Sequence, residues 1–206
     1  AFIYLRDEPA SVGAVSTRSV FSQIVKTVRR IRDYRHVSRF LLARLFYNDG
    51  LVTIFAFGGI YAVGTFEFSF SELITFGIVI NVGAGVGAFL FGFVDDRLGG
   101  KNTILLSVVA LGAATLLGAM APTRLWFWVS AVMIGIFAGP NQSASRSLMA
   151  RVVPVRHKAE FFGLFAFSGK VTSFVGPLLL GLLAESYSQR VGVGSLVLFF
   201  IVGGFL

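Results

Sequence analysis

The chain contains no cysteine and only two histidines among its 206 residues. Without cysteine, it has neither a disulfide framework nor a thiolate metal site. His36 and His157 lie at the edges of hydrophobic segments, and Ser168-Gly169 has no buried base beside it. A hydrolase or a metalloprotease would need such a base or a cluster of metal ligands. We therefore expect no enzymatic activity, no metal site and no cofactor.

Charged residues are also scarce, at 14% of the chain against 55% hydrophobic residues, and the mean hydropathy is +0.81. A soluble domain of this size does not need so much apolar surface, so lipid must solvate part of it. A hydrocarbon core of about 30 Å requires roughly 20 apolar residues per helix. Six segments have about that length: 38–64, 71–93, 103–121, 124–147, 159–184 and 190–206. The fold predicted is an all-α membrane protein with six transmembrane helices.

Acidic residues are outnumbered by basic ones, and the formal net charge is +8. The basic residues cluster before the first span, in the 94–102 turn and in the 148–158 loop. This alternation follows the positive-inside rule, which places those three regions in the cytoplasm and the connections at 65–70, 122 and 185–189 outside. The clustering therefore indicates membrane topology, and no nucleic-acid partner is expected.

Residues 1–37 are predicted to form a basic cytoplasmic linker. Apolar side chains at 21, 24, 25, 28 and 31 recur at helical spacing between bases, as in an amphipathic helix lying on a membrane surface. The linker either carries topogenic charge only or binds anionic lipid headgroups. Residues 38–206 are predicted to form the six-helix domain. Its last helix ends without a polar flank and the chain lacks an initiating Met, so we expect a fragment or a natural half of a longer protein.

The turn at 92–101, Gly-Phe-Val-Asp-Asp-Arg-Leu-Gly-Gly-Lys, joins the second and third predicted spans. It resembles the cytoplasmic loop of the major facilitator superfamily, Gly-x-Leu-Ala-Asp-Arg-x-Gly-Arg-Lys, which also joins the second and third helices of each half. The matching residues are Gly92, Asp96, Arg97, Gly99 and Lys101, whereas Asp95 and Gly100 depart from the pattern. The resemblance implies that Asp96 contacts the other six-helix half and holds the inward face shut. Asp96 and Arg97 could also pair across the turn.

Three further stretches carry a closer resemblance: 46–50 (Phe-Tyr-Asn-Asp-Gly), 139–147 (Gly-Pro-Asn-Gln-Ser-Ala-Ser-Arg-Ser) and 161–177. Together they are similar to the C-terminal half of the autophagy-related vacuolar amino-acid effluxers and their bacterial relatives. The resemblance implies a secondary transporter that moves a small solute by alternating access, with an amino acid as the first candidate. It also implies a missing N-terminal six-helix half and a bacterial inner membrane. The 3+3 helix arrangement is inferred from topology, because six spans joined by short turns fit two three-helix units of opposite orientation. The alternative is a non-transporting scaffold with a similar half-barrel.

Two ionisable residues lie near the middle of predicted spans. Asp49 and Lys170 are each about eleven residues from the cytoplasmic end, or roughly 16 Å deep. Charges at that depth cost about 2.5–3.5 kcal/mol on insertion scales, so they tend to be paired or functional. They neutralise each other, or they line the cavity, with Asp49 binding a proton or ammonium and Lys170 binding a carboxylate. Alternatively, Asp49 accepts hydrogen bonds at a local break in the helix, next to Asn48 and Gly50. Asn81, Asn141 and Gln142 are predicted either to bridge helices or to contact substrate.

Glycine and proline occur together in two predicted spans. Gly139-Pro140 and Gly176-Pro177 should each free a backbone carbonyl and kink the helix that contains them. In the superfamily, kinked helices around the cavity move during alternating access. Small residues also allow close helix packing in lipid, and Gly83-x-x-x-Gly87 is a candidate contact face.

Overall fold

The computed structural model describes residues 34–154 and 157–206, and within these ranges the chain is helical and contains no strand. The predicted amphipathic helix of the linker lies outside the described residues. Residues 36–206 form one structural unit. The helices are α1 (Arg35–Phe66), α2 (Phe70–Leu98), α3 (Gly100–Met120), α4 (Arg124–Val152), α5 (Lys158–Ser168), α6 (Val175–Ser186), α7 (Gln189–Ser195) and α8 (Val197–Phe205).

Three of these helices, α1, α2 and α3, are long and apolar enough to cross a membrane. They correspond to the first three predicted spans, which confirms a helical fold over the described residues with three helices long and apolar enough to span a membrane. The fourth, α4, has 29 residues but carries amides, serines and arginines over its second half. The sixth predicted span, 190–206, corresponds to the shorter apolar segment Gln189–Phe205, in which Leu196 separates α7 from α8. The count of six spans in a 3+3 arrangement stays a prediction.

The fifth predicted span, 159–184, is not one helix. It consists of α5 and α6, and residues 169–174 between them form turns. Proline has no N–H, so Pro177 cannot donate to the carbonyl of Ser173, and its ring disfavours a helix at that position. Pro177 instead lies in the first turn of α6, where no intrahelical donor is needed. The expectation of a kink at Gly176-Pro177 is therefore corrected to a break that begins after Ser168.

Pro140 has a different effect, because α4 continues through it from Arg124 to Val152. The residue four positions earlier, Ile136, loses its intrahelical donor, and its carbonyl oxygen lies against Gly87 of α2. A Cβ atom at Gly87 would overlap that oxygen, and a Cβ at Gly139 would overlap the carbonyl of Ala84. Whether Pro140 kinks α4 stays a prediction.

The contact between α2 and α4 uses a pair of glycines on each helix. Gly83 faces Gly135, and a Cβ at Gly83 would lie 3.4 Å from the Cα of Gly135; Gly87 and Gly139 approach the backbones of Ile136 and Ala84 on the opposite helix. Paired small residues let two backbones approach closely where lipid removes the hydrophobic driving force between helices. The predicted contact face at Gly83–Gly87 is confirmed, and its partner is a second small-xxx-small pair on α4.

The core has two parts. In the first part, aromatic rings of α1, α2 and α4 pack around Phe127. Phe66 and Phe76 stack on it with ring centroids 4.6 Å and 5.5 Å away, and Tyr61 contacts it edge-on. The other part joins α1 to α3, α4, α6 and α8 through aliphatic and aromatic side chains. Helix α1, which contributes to this second part, also carries a set of buried polar residues.

Candidate functional site

Three polar side chains lie within five residues of one another on α1, and all are buried. Arg44 is 6% exposed, Asn48 5% and Asp49 2%. Buried charges are costly unless a partner compensates them. All three face the break between α5 and α6, and each bonds to a group that the break leaves free. We call these three residues together with residues 165–176 the break site.

Arg44 lies at the C-terminal end of α5. Its Nη1 donates to the carbonyl oxygen of Phe165 at 2.6 Å and to Ser168 Oγ at 3.0 Å. The guanidinium also lies over the Phe165 ring, 3.6 Å from its centroid. The carbonyl end of a helix attracts cations, and an aromatic face adds to that attraction in a desolvated position. A cation on α1 therefore caps the first half of the broken segment.

Asp49 lies at the opposite side of the break. Its Oδ2 accepts a hydrogen bond from the backbone N–H of Gly176, in the first turn of α6, at 3.0 Å. The amino end of a helix favours a carboxylate, because its N–H groups have no intrahelical acceptors. The second carboxylate oxygen, Oδ1, is buried and has no hydrogen-bond partner. Asp49 thus has one oxygen occupied by the helix end and one available to another donor.

Asn48 joins the break to a third helix. Its Nδ2 donates to the carbonyl of Gly169 at 2.9 Å, and its Oδ1 accepts from Gln142 Nε2 of α4 at 3.3 Å. A Cβ at Gly169 would lie 2.7 Å from Arg44 Nη1, so a larger residue would displace the guanidinium. The break site is therefore held by direct hydrogen bonds from α1 and α4.

The ion pair between Asp49 and Lys170, one of the interpretations of their equal depth, is not formed. Lys170 lies in the 169–174 turn with its side chain exposed, and among the described residues it has no ion-pair partner. The break explains the difference, because Lys170 does not continue a helix and its direction cannot be extrapolated from helical spacing. The two charges flank the same turn without touching.

Two of the three predicted amides bridge helices. Gln142 reaches Asn48, and the fully buried Asn141 donates from Nδ2 to Ser107 Oγ of α3 at 3.1 Å. The Oδ1 of Asn141 has no partner. Asn81 differs, because it is exposed and its amide donates to the carbonyl of Gly77 in its own helix at 2.8 Å.

A hydroxyl pair lies beside Asn141. Tyr47 of α1 and Ser145 of α4 are 2.9 Å apart, and Ser145 Oγ donates to the backbone carbonyl of Asn141 at 2.5 Å. Both residues are buried. Since the Asn141 side chain bonds to α3, a continuous polar connection crosses from α1 through α4 to α3.

The turn at 92–101 is shorter than the sequence indicates. Helix α2 extends to Leu98 and α3 begins at Gly100, so only Gly99 lies between them. Its φ of +80° favours glycine at this position. Gly92 lies within α2, and nothing lies within 4 Å of the position of a Cβ there; Lys101 is exposed in the first turn of α3.

The buried acid of this turn is Asp95, the residue that departs from the superfamily pattern. Its Oδ2 accepts from Ser147 Oγ at 3.0 Å and from Arg151 Nη2 at 3.1 Å, both on α4. The side chain of Asp96 is 78% exposed and lies 3.9 Å from Arg151. No ion pair joins Asp96 to Arg97 in the described ranges, because adjacent helical residues point about 100° apart. The expected pairing across the turn is therefore wrong.

The sequence indicates no structural role for Arg44 or Arg151, because an arginine near a helix end usually extends to the interface. For Arg44, the available signal was its position four residues before Asn48, which puts both on one helical face. For Arg151 no comparable signal exists, because its partner is fixed by how α2 packs on α4. No cluster of three potential metal ligands occurs in residues 34–154 and 157–206.

Comparison with known proteins places this geometry in a family. The family model described as "Vacuole effluxer Atg22 like" matches residues 1–206. The chain is 32% identical over 205 residues to the uncharacterized MFS-type transporter YxiO of Bacillus subtilis, covering 97% of this chain and 46% of that protein. It is 31% identical over 173 residues to autophagy-related protein 22 of Cryptococcus neoformans, covering 76% of this chain and 30% of that protein.

Autophagy-related protein 22 of Yarrowia lipolytica is 27% identical over 173 residues, with 79% of this chain and 29% of that protein covered. The chain thus spans less than half the length of these curated relatives. The match of the family model nevertheless extends over all 206 residues, including the polar face of α1 and the broken fifth segment. The chain belongs to the Atg22-like vacuole effluxer family.

Proposed function

We propose that this chain is part of a secondary transporter that moves a small solute across a membrane by alternating access. The observation that carries the proposal is the break site, where α1 places a cation and a carboxylate at the two facing ends of a discontinuous helix. Discontinuous membrane helices with buried charges are characteristic of substrate and ion sites in secondary transporters. The relatives named as an MFS-type transporter and as vacuole effluxers support the same class.

The proposal assigns specific roles at the break site. The free Oδ1 of Asp49 binds a proton or the ammonium group of the solute, and the exposed Lys170 binds its carboxylate. Arg44, Asn48 and Gln142 hold the ends of the break in position. An amino acid, which carries both charges, is the solute proposed. This choice rests on the family's description as an effluxer together with the opposite charges of Lys170, which lies in the turn, and Asp49, which bonds to the start of α6.

The proposal also includes a second six-helix half that completes the cavity, and a cytoplasmic linker at the start of the chain. The chain covers 46% of the MFS-type transporter from Bacillus subtilis, which leaves room for another half of similar length. The basic residues before α1 support the cytoplasmic side for the linker by the positive-inside rule. A bacterial inner membrane is the proposed location.

The test is transport by the complete protein in sealed vesicles. Radiolabelled amino acids are offered with and without a pH gradient, and Asp49→Asn and Lys170→Met are compared with the unmodified protein. Arg124→Gln serves as a matched control. Arg124 is charged, lies at the first residue of α4 and forms an ion pair with Glu72 outside the break site. We expect the two site variants to lose transport or its response to pH while the control retains both.

The same experiment separates the transporter from a scaffold. A scaffold would show no uptake or efflux of any solute class in either direction, with or without the substitutions. If both site variants transport as the unmodified protein does, with the same pH dependence, the assignment of the break site is wrong.

A further inference from the structure

A second site lies away from the break, where the starts of α1 and α3 meet the end of α4 and the last residues of α8. A groove at this place encloses about 360 Å³, within the range of roughly 300–1,000 Å³ typical of ligand pockets. Its walls are apolar and include Phe40, Ile104, Leu105 and Leu148. Its rim carries His36, Arg39 and Lys101, and we refer to it as the basic-rimmed groove.

The rim is positively charged, and among the described residues the groove has no acidic lining. The fourteen residues that line the groove include no aspartate or glutamate. Arg39 and Lys101 are exposed, and neither forms an ion pair with a described residue. Arg151, by comparison, is occupied by Asp95 on the neighbouring surface. The groove therefore presents two free cationic side chains above an apolar cleft.

We propose that the basic-rimmed groove binds an anionic phospholipid, with the phosphate between Arg39 and Lys101 and an acyl chain along Phe40, Leu105 and Leu148. The amphipathic character of the site matches this ligand. A soluble anion would gain no binding free energy from the apolar walls, and a neutral lipid would gain none from the charged rim. Basic pockets between membrane helices on the cytoplasmic side are recognised binding sites for anionic headgroups.

The placement within the membrane supports the same ligand. Arg39 lies in the second turn of α1 and Lys101 in the first turn of α3, so both are at the level of a helix end where headgroups lie. By the positive-inside rule this end faces the cytoplasm, where the leaflet is rich in anionic lipid. The groove shares no residue with the break site, although the ring of Phe40 stacks on that of Phe165 with 6.3 Å between the centroids.

The test is native mass spectrometry of the complete protein in a non-ionic detergent. Dioleoylphosphatidylglycerol and dioleoylphosphatidylcholine are titrated separately, and the bound fraction is measured for the unmodified protein and for Arg39→Gln/Lys101→Gln. Each interfacial base contributes about 1 kcal/mol, so we expect the double variant to bind phosphatidylglycerol about ten- to thirtyfold more weakly. Binding of phosphatidylcholine should be weak and unchanged.

The matched control is Arg97→Gln/Arg146→Gln, which removes the same charge from exposed positions outside the groove. A second variant, Leu105→Trp, fills the cleft and leaves the rim intact, so it should also reduce lipid binding. Thermal unfolding of every variant establishes that it folds. Equal losses in the control and rim variants, equal affinity for the two lipids, or full displacement of lipid by inorganic phosphate would each overturn the proposal.

Discussion

The Oδ2 atom of Asp49 accepts a hydrogen bond from the backbone N–H of Gly176 at 3.0 Å, across 127 positions of the chain. One turn earlier on α1, Arg44 bonds to the carbonyl of Phe165 at the end of α5. The two charged residues are thus paired with opposite ends of a broken helix rather than with each other. This arrangement explains how a cation and a carboxylate are both buried in a strongly apolar chain.

Asp49 should respond differently to two substitutions. Asp49→Asn keeps an oxygen that can accept from Gly176, whereas Asp49→Ala removes it and leaves that N–H without a partner. We expect Asp49→Ala to lower the free energy of unfolding by about 1–2 kcal/mol, and Asn to cost less, because lost helix caps cost that much. Thermal unfolding in detergent measures both. Equal destabilisation by the two variants would contradict the capping role.

Arg44 contributes a charge, two hydrogen bonds and a ring contact. Arg44→Gln removes the charge and the stacking on Phe165, and we expect a loss of about 1.5–3 kcal/mol in unfolding free energy, as for hydrogen bonds to charged groups. Arg44→Lys should be intermediate, since lysine keeps the charge but lacks the planar fork. Arg146→Gln is the control, because Arg146 is exposed on α4. The measurement is again thermal unfolding, and a control loss as large as that of Arg44→Gln would argue against the assignment.

The contact between α2 and α4 can be tested with two glycines of the same helix. A methyl group at Gly87 would overlap the carbonyl of Ile136, whereas at Gly77 it would meet nothing within 4 Å. We expect Gly87→Ala to destabilise the protein by about 1–3 kcal/mol through overpacking. Gly77→Ala should be neutral or stabilising by up to about 1 kcal/mol, because alanine favours the helix. Similar unfolding temperatures for both variants would show that the close approach is absent.

The end of α2 offers a direct choice between two adjacent acids. The superfamily pattern assigns importance to Asp96, whereas the structure places Asp95 on Ser147 and Arg151. We expect Asp95→Asn to lower unfolding free energy by about 1–3 kcal/mol and Asp96→Asn to change it by less than about 0.5 kcal/mol. Chemical denaturation of the two variants under identical conditions measures the difference. A larger effect at Asp96 would favour the pattern over the observed contacts.

Several features could be predicted from the chain because they depend on local pattern. The apolar runs of α1, α2 and α3 have the length and composition of membrane helices, so their existence follows from hydropathy. The contact face at Gly83 and Gly87 could likewise be predicted, because it follows from the four-residue spacing of two glycines. Its partner pair on α4 is visible in the sequence, yet which of the other spans would meet α2 depends on packing.

The broken fifth segment illustrates the limit of the same approach. Its hydropathy is continuous over 159–184, and Pro177 indicated an irregularity. The break nevertheless begins at Gly169, eight residues before that proline. A break is tolerated in an apolar environment only when other groups satisfy the freed backbone atoms. Those groups are Arg44, Asn48 and Asp49, which are more than 100 positions away.

The sequence by itself determined the membrane class, the family resemblance, the clustering of basic residues and the presence of ionisable residues, Asp49 and Lys170, within apolar segments. These properties depend on composition and on short motifs. Only the tertiary structure decided that Asp49 caps α6 instead of pairing with Lys170, and that Asp95 rather than Asp96 contacts α4. The physical reason is that hydrogen-bond partners are set by where helices break and how their backbones approach, and both result from packing between distant parts of the chain.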